Sequence, residues 1–236
     1  MLVTWALAVE RAYELSPAGL AWPALAFAAM LDTEGIPVAV LTSAAACGFI
    51  TGHPSPASGG QALVRSAFGN LEQLGLVSVD KTSAIRTVRM HPVVRAAARA
   101  YLPPDGVEQA VTAAAAALLQ AWPESGTAAG GAPATGLQLG QALRDCAASL
   151  WAFAGDLLWK PDPHPLLLRA GASLDEDLLA DSGIDYWQAI AGTCSALGTR
   201  SRCWPGSDWR RPTRRRAARP RRCPRPRPRW PTTSRH

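Results

Sequence analysis

The stretch Asn70-Leu71-Glu72-Gln73-Leu74-Gly75-Leu76-Val77-Ser78-Val79-Asp80-Lys81-Thr82-Ser83-Ala84-Ile85-Arg86-Thr87-Val88-Arg89-Met90-His91-Pro92 decides how this chain is read. Its first residues continue a helical period over Gln61–Leu76, with Leu63, Val64, Phe68, Leu71 and Leu74 facing inward. The period then changes from 3.6 to 2. Leu76–Val79 and Ile85–Met90 are β-branched and alternating, and Asp80-Lys81-Thr82-Ser83 between them has turn composition. The pair is predicted to be a β-hairpin. His91-Pro92 closes its second strand and opens a helix to about Leu102.

Upstream, Leu2–Leu15 puts Leu2, Trp5, Ala6, Val9, Ala12 and Tyr13 on one helical face, opposite Glu10 and Arg11. Ser16-Pro17 reads as an N-cap with proline at the first helical position, and that helix runs to about Asp32, before a turn at Gly35. Val38–Cys47 is a further short helix, and Gly48–Gly60 is a Gly/Pro/Ser-rich loop. Four helices, a two-strand wing and a helix are the order of a winged-helix domain, here over 1–103, with 61–76 as its third helix.

Downstream the chain is all helical in pattern. Val107–Trp122 is alanine-rich and amphipathic, and 123–135 is a Gly/Ala/Ser/Pro linker expected to be flexible. Leu137–Trp159 carries Leu139, Leu143, Cys146, Leu150, Phe153 and Leu157 on one stripe. After three prolines in Pro161–Pro165, Leu166–Leu179 and Ile184–Leu197 make an antiparallel pair around Ala180-Asp181-Ser182-Gly183. Helix pairs of this size are the unit of helical repeats, with a period of about 34 residues in the tetratricopeptide class. The expected fold class is therefore mainly α: a winged-helix domain with a small β-hairpin, tetratricopeptide-like helical hairpins over 104–198, and a disordered Arg/Pro-rich tail over 199–236.

Charge is unevenly spread along the 236 residues. The whole chain has 24 Lys+Arg against 18 Asp+Glu, a formal +6. Residues 200–236 hold 14 arginines, one acid (Asp208) and no lysine, or +13. Taking these from the totals leaves residues 1–199 with 10 basic and 17 acidic side chains, a net −7. An acidic body repels phosphate at long range. With 48% apolar residues the body has material for a core. Five cysteines are too few and too scattered for a disulfide framework, and their spacing matches no zinc pattern. Cys47, Cys146 and Cys194 are expected to be reduced, buried fillers. The apolar runs Pro17–Leu31 and Ile36–Ile50 fall short of the roughly 18–20 residues that span a bilayer, and Met1–Ser16 lacks a basic start. A cytoplasmic protein without membrane contact is the expectation.

No motif for chemistry stands out. The two lysines, Lys81 and Lys160, have no glycine-rich loop before them, so no phosphate cradle is formed. There is no Gly-x-Ser-x-Gly elbow, and His53, His91, His164 and His236 lack partners at metal spacing. No catalytic residue, cofactor or metal is assigned, and the chain is expected not to be an enzyme. An apolar pocket with two or more convergent ionisable groups would reopen that question. His91 sits where the wing meets the next helix, and is expected to cap or line that junction. A rival reading makes the domain a nucleic-acid-binding transcriptional regulator with a basic tail. Its third helix offers Gln61, Arg65, Asn70 and Gln73, but also Glu72; its wing offers Lys81, Arg86 and Arg89. The candidate contacts on that reading are Arg65, Lys81, Arg86 and Arg89.

Three groups of residues resemble a known family. Trp5–Val9, Pro17–Ala21 with Leu25–Asp32, and Gly35-Ile36-Pro37 are similar to the segment after the nucleotide-binding core in bacterial NB-ARC proteins. Asn70–Ser78 and Val88–Arg99 resemble that family's winged helix and following helix. Leu143–Cys146 through Tyr186–Ala189 resembles the lead-in to its tetratricopeptide repeats. The resemblance implies a signal-transducing NTPase in which nucleotide exchange is coupled to sensing by the repeats. The phosphate loop and magnesium-binding acid have no counterpart here, so no catalytic residue carries over. It implies a non-catalytic regulatory, protein-interaction piece whose partners are a nucleotide-binding core, other repeats or a signalling protein. His91 is its candidate contact to the core. Nucleic acid is expected only as a non-specific partner of the tail.

The tail breaks every pattern before it. A GC-rich gene read out of frame yields Arg, Pro, Trp and Cys. Read from the third base of the Gly198 codon, Cys203-Trp204 forces a leucine and Trp204-Pro205 an alanine. Residues 198–218 in that frame can give Leu-Ala-Arg-Leu-Gly-Leu-Ala and then Tyr-Glu-Ala-Ala-Gly-Arg, which resembles a further tetratricopeptide repeat. The tail is therefore expected to be a shifted frame; early stop codons in the alternative frame would exclude this.

Overall fold

Helix α1, Ala21–Ala29, organises the chain because it is apolar all round. Its residues Ala21 and Ala24–Ala29 are buried, as are Met30 and Leu31 after it. In this computed structural model the described residues are 10–12, 14–53, 57–83, 85–123, 133–160 and 162–196. Most of the expected helix at Leu2–Leu15, most of the expected linker and the tail lie outside them. The described residues belong to one compact unit with a continuous hydrophobic cluster from Ala12 to Cys194. The fold is mainly helical with one two-stranded antiparallel hairpin.

Against α1 pack α3 (Ala44–Thr51), α4 (Ala57–Gln73), α5 (Pro92–Tyr101) and α6 (Pro104–Ala121). The expected single helix Val38–Cys47 is instead two. Helix α2 (Val38–Leu41) stops, and Ser43 begins α3 by accepting a hydrogen bond at Oγ from the Ala46 N–H, 3.2 Å. The expected loop 48–60 is partly helical, since α3 runs to Thr51 and α4 starts at Ala57. Gly75, at φ +69, ends α4 as its left-handed cap, and the Leu76 N–H donates back to the Leu71 carbonyl, 2.9 Å.

The hairpin pairs β1 (Val77–Val79) with β2 (Val88–Met90), Ser78 opposite Arg89. On the other edge of β2, Ile36 adds an isolated bridge to Val88. Its N–H donates to the Val88 carbonyl at 2.8 Å, and its carbonyl accepts from Thr87 N–H at 3.1 Å. Ile36 is fully buried there.

The second half packs on the first through α6, whose buried face is Ala110, Val111, Ala114, Ala115, Ala117 and Leu118. Small residues let α3 approach closely. Helix α7 (Pro133–Ala154) buries Leu143, Cys146 and Leu150 as the stripe predicts. Leu157, expected on the same stripe, is exposed. The α-helix ends at Ala154, Gly155 takes φ +50, and a 3-10 turn over Gly155–Trp159 turns Leu158 and Trp159 inward. Helices α8 (Pro165–Glu176) and α9 (Ala180–Ala196) form the antiparallel pair, joined one turn earlier than expected. Gly171 of α8 faces the Trp187 ring, and Tyr186 Oη donates to the Leu167 carbonyl, 2.7 Å. Cys47 and Cys146 are free and buried, with burial pushing the Cys146 thiol up to about 12. Cys194, expected reduced, is disulfide-bonded. No helix among the described residues is long and apolar enough to cross a membrane.

Candidate functional site

Two sites gather the polar groups that the sequence singled out. The first is a row of arginines between the halves of the unit. The C-terminus of α1 leaves carbonyls without helical partners, and cations are favoured at that end of a helix. Arg99 Nε donates to the Ala29 carbonyl at 2.7 Å, and Arg95 Nη1 to the Leu31 carbonyl at 3.4 Å. Each arginine also reaches α7. Arg99 stacks 4.1 Å above the Phe153 ring, Arg95 donates to Ser149 Oγ at 3.0 Å, and Arg86 to Asp145 Oδ2 at 2.5 Å. Asp145, Ser149 and Phe153 are four residues apart, so they stand on one face of α7.

Arg86 also lies 3.6 Å from the Asp32 carboxylate, and its Nη1 is buried without a hydrogen bond. The Asp145 carboxylate raises the Arg86 pKa, while burial lowers that of Arg99 to about 10. Both guanidiniums therefore stay charged near neutral pH. Hydrogen bonds to charged groups are worth about 1.5–3 kcal/mol. Asp145→Ala, which leaves Arg86 short of a partner, is expected to cost about 2 kcal/mol in urea unfolding.

The second site is a groove of about 640 Å³ between α2, α4 and the hairpin. Val38, Leu41, Val64, Phe68, Val79 and Val88 make it apolar, and Arg65, Glu72, Asp80 and Lys81 stand around it. The acids are already engaged. Glu72 accepts the Val79 N–H at 3.2 Å and lies 3.9 Å from Lys81. Asp80 accepts from the Thr82 hydroxyl at 2.6 Å and the Thr82 N–H at 2.9 Å, which holds its carboxyl below the usual range. Arg65 has neither hydrogen bond nor ion pair among the described residues.

Gly69 lines this groove from the C-terminal half of α4. A Cβ built there meets nothing within 4 Å. Glycine inside a helix is destabilising by about 0.5–1 kcal/mol relative to alanine. Neither packing nor backbone conformation calls for it here.

The residues of the nucleic-acid reading are thus divided. Arg65 and Lys81 face the groove; Arg86 is tied into the arginine row, and Arg89 is exposed beside it in a cleft with Asp32 and Glu34. Three amide or acid groups of α4 are used internally. Gln61 donates to the Thr42 carbonyl at 3.1 Å, Asn70 to the Ser16 carbonyl at 3.2 Å, and Glu72 holds the edge of β1. His91 is the N-cap of α5: its Nδ1 accepts the Val93 N–H at 3.2 Å, with Pro92 at the first helical position. His164-Pro165 repeats the device at α8, with the Leu166 N–H at 3.2 Å, and burial lowers the His164 pKa. The arginine row and the groove were missed in the sequence, although Gly69 inside a helical period was visible there.

Among the described residues no cluster of three or more His, Cys, Asp or Glu could hold a metal ion. No protein-family profile, curated protein or solved structure matches the chain.

Proposed function

We propose that this chain is the winged-helix and repeat-entry region of an NB-ARC-type tetratricopeptide regulator, working by protein–protein interaction without catalysis. The observation that carries the reading is Leu178. It follows α8 at φ +59 and is 87% exposed. A left-handed backbone costs a leucine about 1–2 kcal/mol. This residue suits neither its backbone nor water. Leu179 and Ile184, 38% and 45% exposed, flank it at the entry to α9. An apolar end on a helical hairpin supports a protein partner that docks there. His91, exposed at the head of α5, remains the candidate contact to a nucleotide-binding core.

Leu178→Gly is expected to raise the unfolding free energy by about 1 kcal/mol while weakening any association through this end. Urea melts and light scattering on one sample read both. A variant that loses stability and associates as before would remove the basis of the reading. Nucleic-acid binding is tested by salt titration with labelled duplex DNA, comparing the full chain with residues 1–198. Binding is expected only with the tail and only at low salt, because the body is net −7. Salt-resistant, sequence-selective binding by residues 1–198 would replace our reading with the rival one.

A further inference from the structure

The groove beside α4 is lined by a helical glycine that nothing in the fold requires, and Arg65 beside it makes no hydrogen bond or ion pair among the described residues. Its volume, about 640 Å³, is within the range of small-molecule pockets. An apolar body would rest on Val38, Leu41, Val64 and Phe68, with the open side at Gly69. We infer that the groove binds a small amphipathic carboxylate, its apolar part on these residues and its acid group held by Arg65.

The charge pattern selects this class. Glu72 and Asp80 are already engaged, Glu72 by the Val79 N–H and by Lys81, Asp80 by Thr82. Arg65 has all its donors open, and a guanidinium binds a carboxylate through two parallel hydrogen bonds. Lys81, held only loosely at 3.9 Å from Glu72, adds positive potential at the same mouth. A single committed guanidinium suits a single negative charge. Polyanions would meet the field of a net −7 body. Binding rather than turnover fits these groups, since the hydroxyls on the lining are already engaged: Thr42 donates to the Val38 carbonyl, Thr82 to Asp80 and Thr87 to the Ser83 carbonyl, and Ser83 accepts the Arg86 N–H.

The test uses the full chain with decanoate below its micelle concentration, and with decanol and decylamine as isosteres. Calorimetry measures affinity, and amide chemical shifts locate the ligand. Decanoate is expected to bind about tenfold more tightly than decanol, the size of one charge-assisted contact, with shifts at Val64, Phe68 and Val79. Arg65→Gln should erase that preference, leaving the alcohol unchanged. Gly69→Phe, whose ring would fill the groove, should abolish binding of both, with far-UV dichroism checking the helix. If that variant fails to fold, Arg65→Gln decides alone. Equal affinity for acid, alcohol and amine would overturn the proposal. So would binding that survives Gly69→Phe, shifts confined to the arginines of 200–236, or no binding at millimolar ligand.

Discussion

Replacing Gly35 with valine is expected to leave the chain unfolded or nearly so. Gly35 takes φ +145, a conformation that side chains rarely adopt, and strain of that kind costs about 1–3 kcal/mol. The steric cost adds to it. A Cβ at position 35 would stand 2.9 Å from Arg86 Cα and closer still to Arg86 Cβ. These are atoms that cannot swing away. Relief requires the hairpin to move, and the hairpin is tied to this segment by the Ile36 bridge to Val88. Moving it also withdraws Arg86 from Asp145 and Asp32. Overpacking of this type costs about 1–3 kcal/mol more, so the total approaches the ~5 kcal/mol that holds a marginal domain. Gly52 supplies the control. It sits at φ +71 with open space around its Cβ position, so Gly52→Ala isolates strain alone, at about 1 kcal/mol. Parallel thermal melts of Gly35→Val, Gly35→Ala and Gly52→Ala check the ordering. If the Gly35 variants melt with the Gly52 variant, the close approach to Arg86 has no energetic weight.

Local signals in the sequence placed most helices and the hairpin because periodicity reports which side of an element is buried. Val64, Phe68 and Leu71 face inward as their spacing requires, although Leu63 of the same set is exposed, and Gly75 before the alternating Val77-Ser78-Val79 marks the change from helix to strand. Periodicity fails where the local rule is one atom deep. Ser43 splits Val38–Cys47 by a single hydrogen bond, inside a run apolar on all sides. Gly155 resets the phase and exposes Leu157. His91-Pro92 and His164-Pro165 were visible as dipeptides, but a histidine lone pair capping a helix resembles no common capping residue. The arginine row was out of reach for a different reason. Arg86 and Asp145 are 59 residues apart, and ion pairs across such a distance leave no spacing to read. Taken along the chain, Arg86 is a candidate groove-reading charge, and nothing singles out Arg95 or Arg99. Their partners are the carbonyls at the end of α1 and one face of α7. The groove was hidden likewise, since Val38 and Phe68 meet only in three dimensions.

Gly171→Ala is expected to destabilise α8 and α9 by about 1–3 kcal/mol, although alanine is the better helix former by about 1 kcal/mol. The sign is set by Trp187. A Cβ at position 171 would lie 2.9 Å from Trp187 Cε2 and closer to the outer ring atoms. The indole is not free to yield. It meets Tyr186 edge-on at 5.6 Å, Tyr186 meets Trp151 at 5.6 Å, and Trp151 lies 6.0 Å from the fully buried Trp159. The added methyl therefore pushes on a chain of four rings that joins α9 to α7 and the 3-10 turn. Removing the ring reverses the prediction. In a Trp187→Ala background these close contacts are gone, and Gly171→Ala should then stabilise by its helix propensity, about 1 kcal/mol. Urea unfolding of the two single variants and the double variant measures the change of sign directly. Near-UV dichroism shows whether the ring cluster rearranges. The same negative sign in both backgrounds would place the effect in the backbone of α8 and remove Trp187 from the account.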